Sequence, residues 1–467
     1  MSDGLDLLAV GEMNQADSAC ITAGTPGPVL MENAGAAIAQ AIVHRWPPQP
    51  VSILCGPGNN GGDGFVVARL LAGMGWPVRL ALFGKREALK GDAAQAASRW
   101  TGRVESLTPA VLDGNPLVVD ALFGAGLSRP LDGVARAVVE MSNARRLEVV
   151  AVDVPSGVCG DTGAVLGGAP RARLTVTFFR KKPGHLMLPG RELCGATVVA
   201  DIGIPDAVLD TIRPTAFENG PARWRDRFPW PVADSHKYSR GYALVLGGGR
   251  MTGAARLAAR AARRVGAGLV GIACPPEVFA VYAIAEPGAL VHPVADDAAF
   301  AALLGDRRRN AILLGPGAGV SDSTRARVLA ALDAGKACVL DADALTAGAG
   351  EGRAGFMKRL HPRCLLTPHE SEFVRLFPQL CDAAPGKLAR ARKAAAESGA
   401  VVLLKGADTV IAAPDGRAAI NANAPPTLAT GGSGDVLAGL AVGLMAQGMD
   451  AFDAGCAAAW LHGAAAG

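Results

Sequence analysis

Aromatic residues are scarce in this chain of 467 residues: Phe, Tyr and Trp make up 5%. So thin a supply argues against base-stacking nucleic-acid platforms and carbohydrate-stacking sites. No run of about 18 uninterrupted apolar residues occurs, so no membrane span is expected. The 9 cysteines are odd in number and form no CxxC pair. They are expected to be reduced, small core residues of a cytoplasmic protein. The N-terminus, MSDGLDLLAV, carries acids where a secretory signal carries a basic region. GxxxxGK[ST] is absent, which excludes a P-loop. Strong charge of one sign is missing too: a net charge of +4 is too mild to imply nucleic acid. The clusters Arg180-Lys181-Lys182 and Arg307-Arg308-Arg309 read as a solvated strand end and a solvated loop.

What is present points to a globular chain. Hydrophobic residues make up 50% and charged residues 19%, with mean hydropathy +0.26. That is enough apolar material to collapse, unlike a disordered chain. Gly 60 and Pro 31 are high, without the G-X-Y period of collagen. The glycines are therefore expected at many separate turns. The length allows two large domains or three of about 150 residues.

Short β-branched runs, Gly-rich turns and Ala/Leu/Arg segments alternate, which predicts parallel α/β sheets. In the first half the strands read 51–55, 77–83, 116–122, 148–154, 174–179 and 196–202. Helical segments fall between them at 62–74, 91–100 and 133–143. Most runs are apolar throughout, as expected for strands covered on both faces. Around 203–235 the pattern gives way to a Pro-, Arg- and Trp-rich stretch, read as a linker and the entry to a second domain. Alternation restarts with strands at 242–247, 268–274, 310–315, 337–343 and 363–368. A hairpin over 401–421 turns at Asp415-Gly416. Helices are predicted at 253–265, 321–333, 370–377, 386–398, 434–447 and 452–466.

GPGNNGGDG (56–64) follows a strand and opens a helix. It contains G-x-G-x-x-G at Gly56, Gly58 and Gly61, the pattern of a dinucleotide fingerprint. The strand that should end in a ribose-binding acid runs instead into Gly84-Lys85-Arg86. A plain tight turn would explain the glycines, but not Asn59, Asn60 and Asp63 at the same spot. VVDALFGAGL places Asp120 near a strand end, with Gly124 and Gly126 after it. AVDVPSG places Asp153 and Ser156 at the next. Each acid alone could cap a helix or turn. Ligands of open α/β sheets sit outside the carboxyl ends of the strands, so Asp63, Asp120 and Asp153 are expected to converge there. Such an all-oxygen set suits a hard cation and a ligand that exchanges protons.

MENAG (31–35), GPGNNGGDG, DALFGAGL (120–127) and DVPSG (153–157) together resemble the NAD(P)HX epimerase family, the YjeF N-terminal domain, over about residues 1–215. The resemblance implies a Rossmann-like domain that interconverts the R and S forms of hydrated NADH and NADPH. It implies substrate contacts at Asn59, Asn60, Gly61, Gly62, Asp63, Gly124, Ala125, Gly126, Leu127, Ser128, Arg129, Pro130 and Asp153. It implies a potassium ion on Asn60, Asp120 and Ser156. Epimerisation at C6 of the nicotinamide ring needs reversible bond breaking at that carbon, and Asp153 is the expected acid/base carboxylate.

In the second half TGGSGD (430–435) precedes an apolar helical stretch. Glycine N–H groups at a helix start make an anion site. Asp435 at its edge could take the proton of a hydroxyl that attacks a phosphoryl group, or serve only as an N-terminal helix acid. GPGAG (315–319), TPHESEF (367–373) and KGADT (405–409) also follow strands. Singly, His369 could be a helix cap and Lys405 a solvated lysine. Together these motifs resemble the ADP-dependent NAD(P)HX dehydratase family, ribokinase-like in fold, over about 225–467. That resemblance implies substrate contacts at Ala254, Gly317, His369 and Asp435. It places the adenine nucleotide at Lys405, Gly406, Ala407, Asp408, Thr409 and Gly434. The implied reaction phosphorylates the C6 hydroxyl and eliminates phosphate, a far better leaving group than hydroxide. Asp435 is the expected catalytic base of this site. ADP, with ATP as the alternative, Mg²⁺ and K⁺ are the expected cofactors. SHKYSRGYALVLGGGRMTGAARLA lacks the Lys-Gly step usual in that family. The chain ends in LHGAAAG, where members of the family continue, so the last helix is expected to be incomplete.

The expected fold is α/β, with two tandem three-layer domains. These are 1–215, Rossmann-like, and 225–467, ribokinase-like. Small-molecule partners and a homo-oligomer are expected, without nucleic acid or membrane. One alternative is a ribokinase-type hydroxyl kinase that releases a stable phosphoester and carries an accessory ligand-binding domain. Another is a first domain that only binds ligand or RNA.

Overall fold

A computed structural model describes residues 4–350, 352–381 and 385–467. The first three residues of the acidic N-terminus read above lie outside the described residues. The chain divides into two compact units, Met1–Ala216 and Phe217–Gly467.

The first unit is built on seven strands. Their spatial order is Val104–Ser106, Val78–Leu82, Val51–Cys55, Leu117–Ala121, Glu148–Val152, Leu174–Phe178 and Ala196–Ala200. Every neighbouring pair is parallel. Alternate side chains enter two separate cores. Ile53, Leu80 and Val119 join one, and Leu54, Ala81 and Val118 join the other. A period of two with both faces apolar puts helices above and below the sheet, the three-layer arrangement expected of these runs. From Val51–Cys55 the chain winds to one edge, then returns to Leu117–Ala121 on the other side. The order therefore reverses between those two strands. That reversal opens a crevice at their carboxyl ends. Helices Val10–Thr22 and Gly27–Val43 and strand Val104–Ser106 are additions to the pattern read from sequence.

The second unit repeats the logic with a different sheet. Nine strands between Tyr242 and Asn421 lie in the order Ala418–Asn421, Thr409–Ala412, Val401–Leu404, Cys364–Leu366, Ala337–Leu340, Arg309–Leu314, Tyr242–Leu246, Leu269–Cys274 and Leu290–Pro293. The pairs are parallel except within 401–421, where the expected single hairpin is three strands joined by two antiparallel pairings. Here the order reverses between Tyr242–Leu246 and Arg309–Leu314. Residues 217–228 fell in the stretch that the sequence pattern left between the domains. They pack within the second unit: Trp224 is buried, Phe217 meets Phe452 edge-on, and Trp224 meets Trp460.

Helix Thr252–Arg264 packs against helix Ser433–Ala446 through small residues. A Cβ on Gly439 would lie 2.3 Å from the Ala258 carbonyl oxygen and 2.7 Å from its Cα. Backbone cannot yield as a side chain can. Gly439→Val is therefore expected to destabilise the second unit by about 1–3 kcal/mol, the usual range for overpacking. A lowered thermal midpoint checks it; an unchanged one would mean that the helices part freely.

Candidate active sites

At the first unit's reversal point a cavity of 520 Å³ opens. Asn59, Asn60 and Asp63 line it from helix Asn59–Gly73, and Asp153 from the end of Glu148–Val152. Gly124, Ala125, Gly126, Leu127, Ser128 and Arg129 line it from the loop after Leu117–Ala121. Gly61, Gly62 and Pro130 are not among its lining residues. Gly61 serves the turn itself: a Cβ there would lie 1.9 Å from the Gly56 carbonyl oxygen. A Cβ on Gly56 would in turn meet the Leu122 carbonyl oxygen at 1.7 Å. These two glycines therefore let protein approach protein.

Asp153 has φ 65°, in the left-handed region that Asp tolerates better than most residues. Its Oδ2 accepts the Ala125 N–H at 3.1 Å. Its Oδ1 accepts the Thr177 hydroxyl at 2.9 Å and the Lys182 ammonium at 2.5 Å. Lys182 also donates to Thr177 Oγ1 at 3.0 Å. Lys182 is only 2% exposed, so the solvated reading of Arg180-Lys181-Lys182 does not hold for it. The lysine lies past an apolar strand that ends in the site, and its charge is held by Asp153. Arg180 is buried as well and pairs with Asp206. In the other basic cluster Arg307 and Arg308 are exposed, as read, while Arg309 is half-buried with its guanidinium over the Tyr242 ring.

Burial pushes the Asp153 carboxyl up. The charge of Lys182, then that of His185, then the hydrogen bonds of Lys182 and the Ala125 N–H outweigh it and bring the pKa down to about 2. Asp63 is held well above the usual carboxylate range by burial and then by the charges of Asp153 and Asp17. Asp120 is fully buried beneath the cavity. Its Oδ2 accepts Ser156 N–H at 2.7 Å and its Oδ1 accepts Ser156 Oγ–H at 2.6 Å. Burial raises its pKa against those hydrogen bonds. The Asn60 Nδ2 is buried without a partner. Asp63, Asp120 and Asp153 thus share the strand ends as expected, with only Asp63 and Asp153 facing the cavity.

His185 Nδ1 accepts the Lys182 N–H at 2.9 Å, so Nε2 carries the proton and donates to the Asp153 carbonyl at 2.8 Å. Burial and then the Lys182 charge push its pKa down to about 4. Below the ordinary value of about 6.5 the unfolded chain takes up a proton that the fold refuses. Stability is therefore full above that value and falls toward pH 4 by roughly 1.4 kcal/mol per unit. Thermal melting across this window checks it: His185→Gln is expected to flatten the slope, and an unchanged slope would assign it elsewhere.

The second unit gathers its groups in the same place, at the carboxyl ends of the parallel strands. A Cβ on Gly317 would lie 3.2 Å from Ala254 Cβ. Lys405 N–H donates to the Pro368 carbonyl at 2.8 Å, which sets the lysine beside His369. Lys405 Nζ pairs with Asp341 at 2.7 Å and lies 3.9 Å from Glu372. A Cβ on Gly434 would lie 3.7 Å from the same ammonium. Asp435 lies in the first turn of Ser433–Ala446, entered through Gly432 at φ 91°. Burial and then Asp341 raise its pKa, while Lys405 opposes them. His369 caps helix Glu370–Leu376 and is 51% exposed on its side chain. Gly406 and Thr409 are tied to each other, with Thr409 Oγ1 donating to the Gly406 carbonyl at 2.7 Å. Asp408 pairs with Lys387 at 2.7 Å.

A family model described as NAD(P)H-hydrate dehydratase matches residues 243–467, and one described as YjeF-related protein N-terminus matches 27–184. A bifunctional NAD(P)H-hydrate repair enzyme of Salinibacter ruber is 40% identical, covering 98% of this chain and 91% of that protein. One from Thermofilum pendens is 37% identical, covering 95% and 87%. The chain belongs to the family of bifunctional NAD(P)H-hydrate repair enzymes. Among solved structures, an ADP/ATP-dependent NAD(P)H-hydrate dehydratase from Bacillus subtilis, co-crystallized with ATP and Mg²⁺, is 30% identical. It covers 53% of this chain and 87% of that one, with a TM-score of 0.44.

For a repair enzyme, several residues at these sites go beyond those read from sequence. Val10, Met13, Asn14 and Asp17 line the first cavity from a helix that lies before the matched family segment. Lys182, Thr177 and His185 complete the surroundings of Asp153. Asp341 and Glu372 hold Lys405 in the second unit. Asp341 directly follows an apolar strand, the same signal that singled out Asp120 and Asp153, whereas Lys182 lies beyond Phe178 in a basic triplet.

Proposed function

We infer that this chain repairs hydrated nicotinamide nucleotides. The first unit interconverts the R and S forms of hydrated NADH and NADPH, and the second restores the S form to the dihydropyridine at the expense of ADP. The observation that carries the first half is the cavity where ionised Asp153 faces Asn59, Asn60 and the 124–129 loop. Asp153 acts there as the base on the C6 hydroxyl, and the main-chain N–H of Ala125 fixes its second oxygen. In the second unit Asp435 draws the proton from the C6 hydroxyl as phosphate is transferred. The start of Ser433–Ala446, with Gly434 and Lys405 beside it, receives the phosphates. Ala254, Gly317 and His369 border the substrate, while residues 405–409 border the nucleotide.

The acidic surroundings of Lys405 fit Mg²⁺, which takes one or two carboxylates besides phosphate oxygens. Asp341 and Glu372, which flank Lys405, are the carboxylates that would hold it. When bound it neutralises and orients the phosphates. K⁺ fits the oxygens of the first unit: Asp120 is a buried carboxylate with the Ser156 hydroxyl as its neighbour, and Asn60 Oδ1 lies beside Gly124. Asn60, Asp120 and Ser156 would hold it, and its charge would order the oxygens beneath the cavity. ADP serves as the phosphoryl donor, with ATP as the alternative. No helix among the described residues is long and apolar enough to cross a membrane. The 9 free cysteines suit the reducing cytoplasm. Exposed Phe279, Val281, Ile284 and Leu290, near an edge strand, favour a homo-oligomer.

Incubation with an R/S mixture of hydrated NADH tests the reading through dihydropyridine absorbance. Full recovery with ADP is expected. No recovery from the S form would remove the dehydratase reading, and recovery of the S part alone would remove the epimerase reading.

A further inference from the structure

Of the four carboxyls lining the first cavity, Asp17, Asp63, Asp92 and Asp153, only Asp153 forms an ion pair among the described residues. Lys182 Nζ sits 2.5 Å from Asp153 Oδ1. Asp63 is 8% exposed and forms no ion pair among the described residues. We propose that Lys182 divides the labour of these carboxyls: it holds Asp153 as the ionised base and leaves Asp63 as the protonated acid of epimerisation. The inference rests on the epimerase reading and assigns Asp63 a role beyond substrate binding.

The chemistry requires such a division. The C6 carbon of hydrated NADH bears a hydroxyl and is bonded to N1. Asp153 takes the hydroxyl proton, and the C6–N1 electron pair moves to nitrogen. Nitrogen then takes a proton from Asp63, which leaves an open-chain aldehyde and an enamine. Rotation about C5–C6 presents the other aldehyde face. Nitrogen attacks that face, and the two protons return to their starting positions. No atom is gained or lost and nothing is oxidised. Asp153, ionised beside Lys182, is the group placed to take the hydroxyl proton, and Asp63, without a cation, is the group placed to give one to nitrogen. Environments that push two acids apart are the usual mark of this arrangement.

Other charged groups line the cavity from every side. Asp17 comes from helix Val10–Thr22, Asp92 from helix Gly91–Ser98 and Arg129 from the loop. His185, neutral and bonded to the Asp153 carbonyl, lies behind. Burial and neighbouring carboxylates hold Asp63 well above the usual range, while Lys182 holds Asp153 below it.

The test is the pH–rate profile of R-to-S exchange without ADP, read by resolving the two epimers. Lys182→Met is expected to raise the acid limb by more than about one pH unit, and Lys182→Arg to restore it. Asp63→Asn is expected to lower kcat about 100-fold with KM changed less than about threefold. The thermal midpoint of the first unit in the same variants reports that this unit is folded, and ADP-dependent dehydration of the S form reports the same for the second. An unmoved acid limb in Lys182→Met, or a normal kcat in Asp63→Asn, would overturn the division of labour. A wild-type chain that exchanges nothing would instead remove the epimerase reading beneath it.

Discussion

Asp153→Asn is expected to slow R-to-S exchange by about a thousandfold, inside the 10²–10⁴ range of general acid–base catalysis. Asparagine keeps the shape and the Ala125 contact, and it accepts the left-handed backbone at φ 65°. What it loses is basicity. Dehydration of the S form with ADP is expected to continue at the wild-type rate, because its groups lie in the other unit. The substitution also strands the Lys182 charge, which is only 2% exposed. Leaving a buried charge unpaired costs about 3–5 kcal/mol. The melting midpoint of the first unit should therefore fall, and the added change Lys182→Met should recover it without recovering exchange. Such a split between stability and rate identifies the carboxylate as chemistry. Exchange that persists in Asp153→Asn would place the base elsewhere.

Asp435→Asn is expected to stop ADP-dependent recovery from both epimers while exchange between them continues. The loss should again reach about 10²–10⁴-fold in kcat. The R form is lost too, because its only route to the dihydropyridine passes through the S form. Burial and Asp341 raise the Asp435 pKa, which makes its carboxylate a stronger base than a free one. The same shift places the acid limb of wild-type dehydration above that of an ordinary aspartate. Chromatographic resolution of the epimers, with absorbance for the product, reads both activities in one sample. A variant that still dehydrates would reduce Asp435 to a helix-terminus acid.

Strand positions were legible because a sheet covered on both faces needs continuous apolar runs. VSILC, EVVAVDV and LTVTFF could be little else. The edge strands Val104–Ser106 and Leu290–Pro293 were not legible, for the opposite reason: short and partly exposed, they carry no such run. The carboxylates of the first site were legible from their places after strands. Lys182 was not, because a basic triplet is usually solvated and only the packing around Asp153 reveals its burial. Gly56 and Gly61 show a different limit. A glycine fingerprint cannot say whether the approaching atom belongs to a ligand or to the Leu122 and Gly56 carbonyls.

The left-handed backbone at Asp153 also restricts inheritance. Few side chains accept that conformation, and asparagine and glycine are the least strained alternatives to aspartate. A lineage that abandons exchange while keeping the fold has its easiest path through asparagine, one nucleotide away. In other genomes, DVPSG rewritten as NVPSG would mark a first unit kept as scaffold beside a working second one.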